Sequence, residues 1–311
     1  MIKRLWQVSP ELIATTVLML VVLAGAIAGL LVDPRFITGA PAWLKPAKFA
    51  VSIALYTATL AWLFTLLPEW RRTRRVVGWA TAAAMVTEML IIGAQAWRGT
   101  TSHFNVATAF DGALFIVMGL TIVAQTVLSA AVAVALWKQR FGDAVLGWAV
   151  RLGLTLTIVG AFTGGFMTRP TGPQLEAARA GARMTIAGAH TVGGPDGGPG
   201  LAGTGWSRSH GDLRVPHFVG LHAVQVLPIL ALLLRRRSIA DSARVRLVIV
   251  AAASYASLFV ILLVQALRGV PIVAPDTSTI VQLTVWAGAT ALAAVLARFD
   301  MSRAARGAAA V

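Results

Sequence analysis

The stretch Gly211 to Gln225, GDLRVPHFVGLHAVQ, sets an acid, a guanidinium and two imidazoles at the mouth of an apolar run. Asp212, Arg214, His217, His222 and Gln225 are types that bind anions, ligate metals or exchange protons. Their spacing narrows the choice. His217 and His222 are five residues apart, about 140° around a helix, so one helix face cannot offer both to a single metal as the i, i+4 zinc pattern does. His222 and Gln225 are three apart and share a face. His217 is then expected to turn toward the headgroups or toward SHFN (Ser102 to Asn105). If its helix starts near Pro216, His222 lies roughly 10 Å and Gln225 roughly 14 Å inward. Glu88, counted back from Ala96, lies roughly 12 Å inward, at the depth of His222. Pro228 is expected to kink the helix, free the carbonyl of Val224 and open a polar pocket above the bend.

Partners for this stretch come from elsewhere in the chain. Arg98, His103, Asp111 and Arg268 join Glu88, Asp212, Arg214, His217, His222 and Gln225 as candidate ligand-binding residues. Each has a structural reading beside the functional one. Arg98 and Arg268 stand where cations stabilise helix C-termini, and Asp111 stands where an acid caps an N-terminus. His190 reads as a solvated loop residue. Three chemistries follow. The first is a small polar or anionic ligand held from the outer side by Arg and His, in a transporter or sensor. The second is haem or a divalent metal held by His217 or His222 together with His103. The third is acid–base hydrolysis by Glu88 or Asp111 with His222, against which no GxSxG or HExxH signature is present.

These residues are presented by membrane helices. The chain of 311 residues is 57% hydrophobic and 13% charged, with mean hydropathy +0.76, far from soluble globular norms. A span needs roughly 20 apolar residues. That ruler finds about eight, near 11–32, 47–67, 76–96, 109–137, 144–168, 215–234, 245–267 and 278–297. The first is read as a retained helix rather than a signal peptide, because its apolar run exceeds the usual h-region. The formal charge of +15 is assigned to orientation and anionic headgroups rather than to nucleic acid. Lys3, Arg4, the Arg71–Arg75 cluster, Lys138, Arg140, Arg235–Arg237, Arg244, Arg246, Arg298, Arg303 and Arg306 all fall on one side. The positive-inside rule then puts both termini in the cytoplasm. Arg151 is expected to snorkel. With no cysteine there are no disulfides, thiolate metal sites or c-type haem attachments.

The long outer loop, 169–214, divides in two. Pro173 to Ala189 reads as a short interfacial helix. GGPDGGPGLAGTGW (Gly193 to Trp206) is too rich in Gly and Pro for helix or strand, and reads either as a linker or as a lid whose backbone amides approach a ligand beside Trp206.

An internal repeat organises the whole. LKPAKFAVSI (Leu44 to Ile53) lies over LRVPHFVGLH (Leu213 to His222), and QAWRG (Gln95 to Gly99) over QALRG (Gln265 to Gly269). AGAIAG (Ala24 to Gly29) and GAFTGG (Gly160 to Gly165) add weaker support. The expected fold is therefore all-α: a polytopic bundle of about eight transmembrane helices in a tandem 4+4 parallel repeat, 1–143 and 144–311. Lys48 and Ile53 then stand where the second unit has His217 and His222. The signatures QAWRGTTSHFN, HTVGGPDGGPG and GDLRVPHFVGLHAVQ resemble those of uncharacterised bacterial polytopic membrane proteins. That resemblance implies a bacterial cytoplasmic membrane and no particular activity.

Overall fold

Helix starts and stops follow local chemistry throughout the chain. The computed structural model describes residues 2–197 and 200–298, so Arg303, Arg306, Gly198 and Pro199 lie outside the described residues. A short helix α1 (Ile2–Val8) leads through Ser9 into α2 (Pro10–Val32), whose proline occupies the first turn, where its missing N–H costs nothing. A two-residue hairpin, β1 (Phe36–Ile37) with β2 (Ala40–Pro41), turns the chain into α3 (Leu44–Phe64). Then come α4 (Arg71–Trp97), α5 (Ala109–Lys138) and α6 (Ala144–Ala161), which continues into the single turn α7 (Thr163–Met167). The outer loop contributes α8 (Gly172–Arg179), and β3 (Thr191–Val192) pairs with β4 (Gly211–Asp212). The chain closes with α9 (Arg214–Leu221), α10 (Ala223–Leu234), α11 (Asp241–Leu267) and α12 (Thr277–Arg298).

Seven helices are long and apolar enough to cross a membrane, eight if the bent α9–α10 pair counts as one span. Large apolar side chains such as Leu31, Leu120, Val123 and Val285 lie more than half exposed on their flanks, as lipid-facing positions do. The chain is thus an all-α, multi-pass membrane protein.

Two pieces of the bundle use the same neighbours. α2 packs on α3 and α4, and α4 on α5; α6 packs on α9, α10 and α11, and α11 on α12. Near one end a single apolar core joins them, through Leu12, Phe64, Val132, Leu136, Val150 and Val224. At the other end the contacts are smaller and polar residues collect. α6 meets α9 at Gly160 and Gly220, where a Cβ on either would run into the backbone of the other, the close approach that small residues permit in membranes.

The helix ends nearest the polar cluster are built alike. At the end of α4, Gly99 adopts φ +74°, Gly99 N–H donates to Ala96 O, and Thr100 N–H donates to Gln95 O. At the end of α11, Gly269 adopts φ +76°, Gly269 N–H donates to Ala266 O, and Val270 N–H donates to Gln265 O. Both are Schellman ends, which require a left-handed residue that glycine supplies without strain.

Two sequence expectations are corrected. The interfacial helix stops at Arg179, well short of Ala189. It is started by a Thr171–Gln174 capping box and ended at Gly181, φ +87°, beyond which the chain extends to pair Ile186 with Asn105. The sixth span breaks at His222, with a 44° bend, and Pro228 sits inside α10 beyond it. The break falls there because hydroxyls replace the backbone ladder. Thr157 Oγ1 donates to Leu221 O (3.1 Å) and accepts from Val224 N–H (3.1 Å), while Tyr255 donates to Val219 O (2.5 Å). In lipid a broken helix persists only when its freed backbone groups find such partners.

Candidate functional site

The outer loop is a built cover. Val106 N–H donates to Thr185 O and Ala187 N–H to Phe104 O. Gln174 holds Gly188 through both its side-chain oxygen and its nitrogen. Gly193 lies against Gly269 near the end of α11, and Gly197 against the Thr38 carbonyl in the first hairpin. The cover therefore reaches from one group of helices to the other. It is also tied from below: Lys48 Nζ donates to Thr204 O (2.8 Å) and Arg214 Nη2 to Gly205 O (2.6 Å). Trp206 meets Phe218 edge-on, with ring centroids 5.7 Å apart.

Beneath it three imidazoles and two lysines come together. Lys45 Nζ sits 3.0 Å from His103 Nδ1, which Ser102 Oγ also approaches at 3.2 Å. His103 lies in the loop between α4 and α5. Burial depresses its proton affinity well below the ordinary value, and the charge of Lys45 depresses it further. His190 packs edge-on against Phe104 at 4.8 Å and bonds Asp196 through Nδ1 at 2.9 Å. Burial lowers its affinity for a proton, against the pull of Asp196. Burial also disfavours charge on Asp196. The bonds it accepts from His190 and Thr191, with the charge of His190, nevertheless hold its carboxyl below the usual carboxylate range. His217 donates from Nδ1, shared between Thr163 Oγ1 (2.8 Å) and Gly160 O (3.1 Å). Thr163 already gives its own proton to Gly160 O, so the imidazole is the donor and its Nε2 carries the lone pair.

Lys45, Lys48, His103, His190 and His217 are all half-buried. They retain accessible surface beneath the cover. The charge balance there is positive. Asp212 is buried, and it forks onto Arg214 Nε (2.9 Å) and Nη2 (2.6 Å) while accepting Ser207 N–H (2.7 Å). Asp196 is engaged by His190. Among the described residues no carboxylate forms an ion pair with Lys45 or Lys48.

The remaining sequence candidates sort away from this space. Arg98 bonds Asp111 (2.6 Å) and Gln95; Asp111 also accepts from Gln95 Nε2 (2.9 Å) and Thr108 Oγ1 (2.6 Å). This is a clamp from the end of α4 to the start of α5. Arg268 pairs with Asp276, which accepts from the Thr279 N–H (2.9 Å) and hydroxyl (2.6 Å), clamping α11 to α12. Glu88 accepts from Thr121 of α5 (3.0 Å), and no hydrogen bond joins Glu88 or Asp111 to His222. His222 packs at a tilt against Phe218 (ring centroids 4.3 Å apart), and Gln225 donates to Thr59 of α3 (3.2 Å). Among the described residues no three His, Asp or Glu side chains are grouped to hold a metal ion, so His103, His217 and His222 do not form a three-residue ligand set.

Sequence reasoning counted Lys45 and Lys48 among the polar residues of the outer side but did not carry them, or His190, into the ligand-binding set. The repeat register carried the signal for the lysines, since Lys45 and Lys48 stand opposite Arg214 and His217. Nothing local marked His190, whose place depends on Phe104 and Asp196. The site and fold together define a multi-pass membrane protein with a covered cluster of lysines and imidazoles. No protein-family model, curated protein sequence or solved structure matches the chain.

Proposed function

We propose that this protein binds a small oxyanion from the outer side of a bacterial cytoplasmic membrane, as a transporter or a sensor. In this reading the chain is two four-helix units in tandem, 1–143 and 144–311, with cytoplasmic termini and the pocket between the units. The matched Schellman ends, the paired Arg–Asp clamps and the shared helix neighbours support the duplication. The membrane side follows from the distribution of Lys and Arg.

One observation carries the ligand class. Lys45 and Lys48 lie one turn apart at the start of α3 and half-buried under the cover, and their hydrogen bonds run to an imidazole and a carbonyl. Ammonium groups held away from bulk water need a counter-charge. An oxyanion supplies it, with the free ring edges of the imidazoles and the cover's backbone to orient it.

The test is thermal unfolding of the detergent-purified protein with sodium sulfate, phosphate, bicarbonate or acetate, against sodium chloride at matched ionic strength. At least one oxyanion is expected to raise Tm. Lys45→Met with Lys48→Met should abolish that rise without lowering the anion-free Tm, because it removes two poorly compensated charges. A rise unchanged in the double variant, or no rise with any of the anions, would sink the reading.

A further inference from the structure

Glu88 is buried among apolar side chains on α4, 2 % exposed. Its Oε1 accepts from Thr121, while its Oε2 is sealed from solvent and has no hydrogen-bond partner. Around it lie Met85, Met89, Ile91, Ile92 and Met118. A carboxyl kept in such surroundings without an ion pair is a functional candidate by default. It also lies one ring away from the pocket. Phe49 packs in the clusters formed by these residues, and its other contacts are His103 (ring centroids 5.6 Å apart) and Lys45 (5.9 Å from Nζ to ring centroid).

The charged and titratable groups on the packed elements are few. α3 brings Lys45, Lys48 and Tyr56, α2 brings Glu11, α5 brings Asp111 and, at its far end, Lys138, and the α4–α5 loop brings His103. Glu11 lies against Gly78, ten residues along α4. Asp111 is held by Arg98, and Tyr56 bonds Ser129 and Gln125. Of these, Lys45 is joined to the surroundings of Glu88 through the Phe49 ring.

Resting on the oxyanion reading above, we propose that Glu88 takes up a proton when an anion occupies the Lys45–Lys48 pocket, so that the site takes an anion and a proton together. The linkage is electrostatic. With the pocket empty, Lys45 stabilises an ionised Glu88. An anion on Lys45 cancels that field and leaves a carboxylate in an apolar site, and the cheapest relief is a proton drawn from the outer solution onto Glu88. Unit charges roughly 10 Å apart at an effective dielectric of about 20 shift such a group by about one pH unit. The corresponding position on α11, in the register set by Gln95 and Gln265, is Leu258, so the proton site belongs to one half of the molecule.

The experiment adds sodium sulfate or sodium acetate, neither of which exchanges protons near neutral pH, to the full-length protein in weakly buffered detergent. A pH dye reports proton uptake and calorimetry reports anion binding. Wild type is expected to take up a fraction of a proton per bound anion, near neutral pH. Glu88→Gln should still bind the anion but lose the uptake; Glu176→Gln, on exposed α8, should keep both. Lys45 itself and the pocket imidazoles are the competing acceptors, and uptake that persists in Glu88→Gln would assign the proton to them and overturn the proposal. Binding without uptake in wild type would overturn it while leaving the oxyanion reading intact. If neither anion binds, both fall. An infrared band of a protonated glutamic acid that grows on anion addition and vanishes in Glu88→Gln would identify the carboxyl directly.

Discussion

α3 and α9 begin with the same pattern, a leucine, a basic residue and, three residues on, a second nitrogen-bearing side chain before phenylalanine, yet they diverge within three turns. α3 runs unbroken to Phe64. α9 stops at Leu221 and restarts as α10 at 44°. The cations differ as well: Arg214 is neutralised by Asp212, while among the described residues Lys45 and Lys48 pair with no carboxylate. The lesson is that helix continuity and charge compensation were both decided by neighbours. α6 and α11 supply Thr157 and Tyr255 to one helix, and the outer loop supplies a carboxylate to one cation.

That contrast can be broken most severely at the glycine contact. Gly220→Val places a side chain against the backbone of Gly160 and the ring of Phe259, where little can yield. A loss of about 3 kcal/mol is expected, read as a drop in denaturant or thermal midpoint in detergent. A neutral result would mean that the two helices do not pack backbone to backbone.

Next in size is Thr157→Val, which keeps the shape but leaves Val224 N–H and Leu221 O without their hydroxyl partner. One orphaned buried group costs about 1–3 kcal/mol. Tyr255→Phe removes a single bond to a carbonyl and should cost less. If both variants unfold like wild type, the break at His222 is not held by hydroxyls.

The two Arg–Asp clamps give a third comparison. The Asp111 side chain is 5 % exposed and that of Asp276 is 42 % exposed. Asp111→Ala strands Gln95 and Arg98 and should cost about 1–2 kcal/mol, whereas Asp276→Ala, at a solvated pair, should cost clearly less. Unfolding of the two single variants decides it, and equal losses would show the clamps to be equivalent.

The smallest expected effect is a pH dependence in the cover. Burial holds His190 below its ordinary 6.5, so the opened loop binds a proton more readily than the closed one. The stability due to neutral His190 is complete above that value and is lost as pH falls through the lowered one. His103 has the same sign. Amide exchange across 186–196, corrected for intrinsic rate, should therefore rise between about pH 7 and pH 5, and His190→Gln should flatten the change.

The apolar runs announced the spans, and the helices follow them closely: Pro10–Val32 where 11–32 was expected, Ala109–Lys138 where 109–137 was expected. That much is legible because bilayer thickness and helix rise fix the length of any spanning helix. The Q-A-x-R-G pairs were legible for a similar reason, since glycine after a helix end carries its own backbone preference. The site was read only in part. His103, His217, Asp212 and Arg214 were picked out by type, but Glu88 was matched to His222 by depth alone, and depth says nothing about which helix stands opposite. Lys45 and His190 acquired meaning only when residues far along the chain met them, Lys45 through His103 and His190 through Phe104. Local sequence determined where the membrane spans lie and how far most of them run, because span length depends on apolar residues adjacent along the chain. Tertiary structure decided the break at His222 and the cover over the lysines, because the hydrogen bonds that make them join groups that sequence spacing does not bring together.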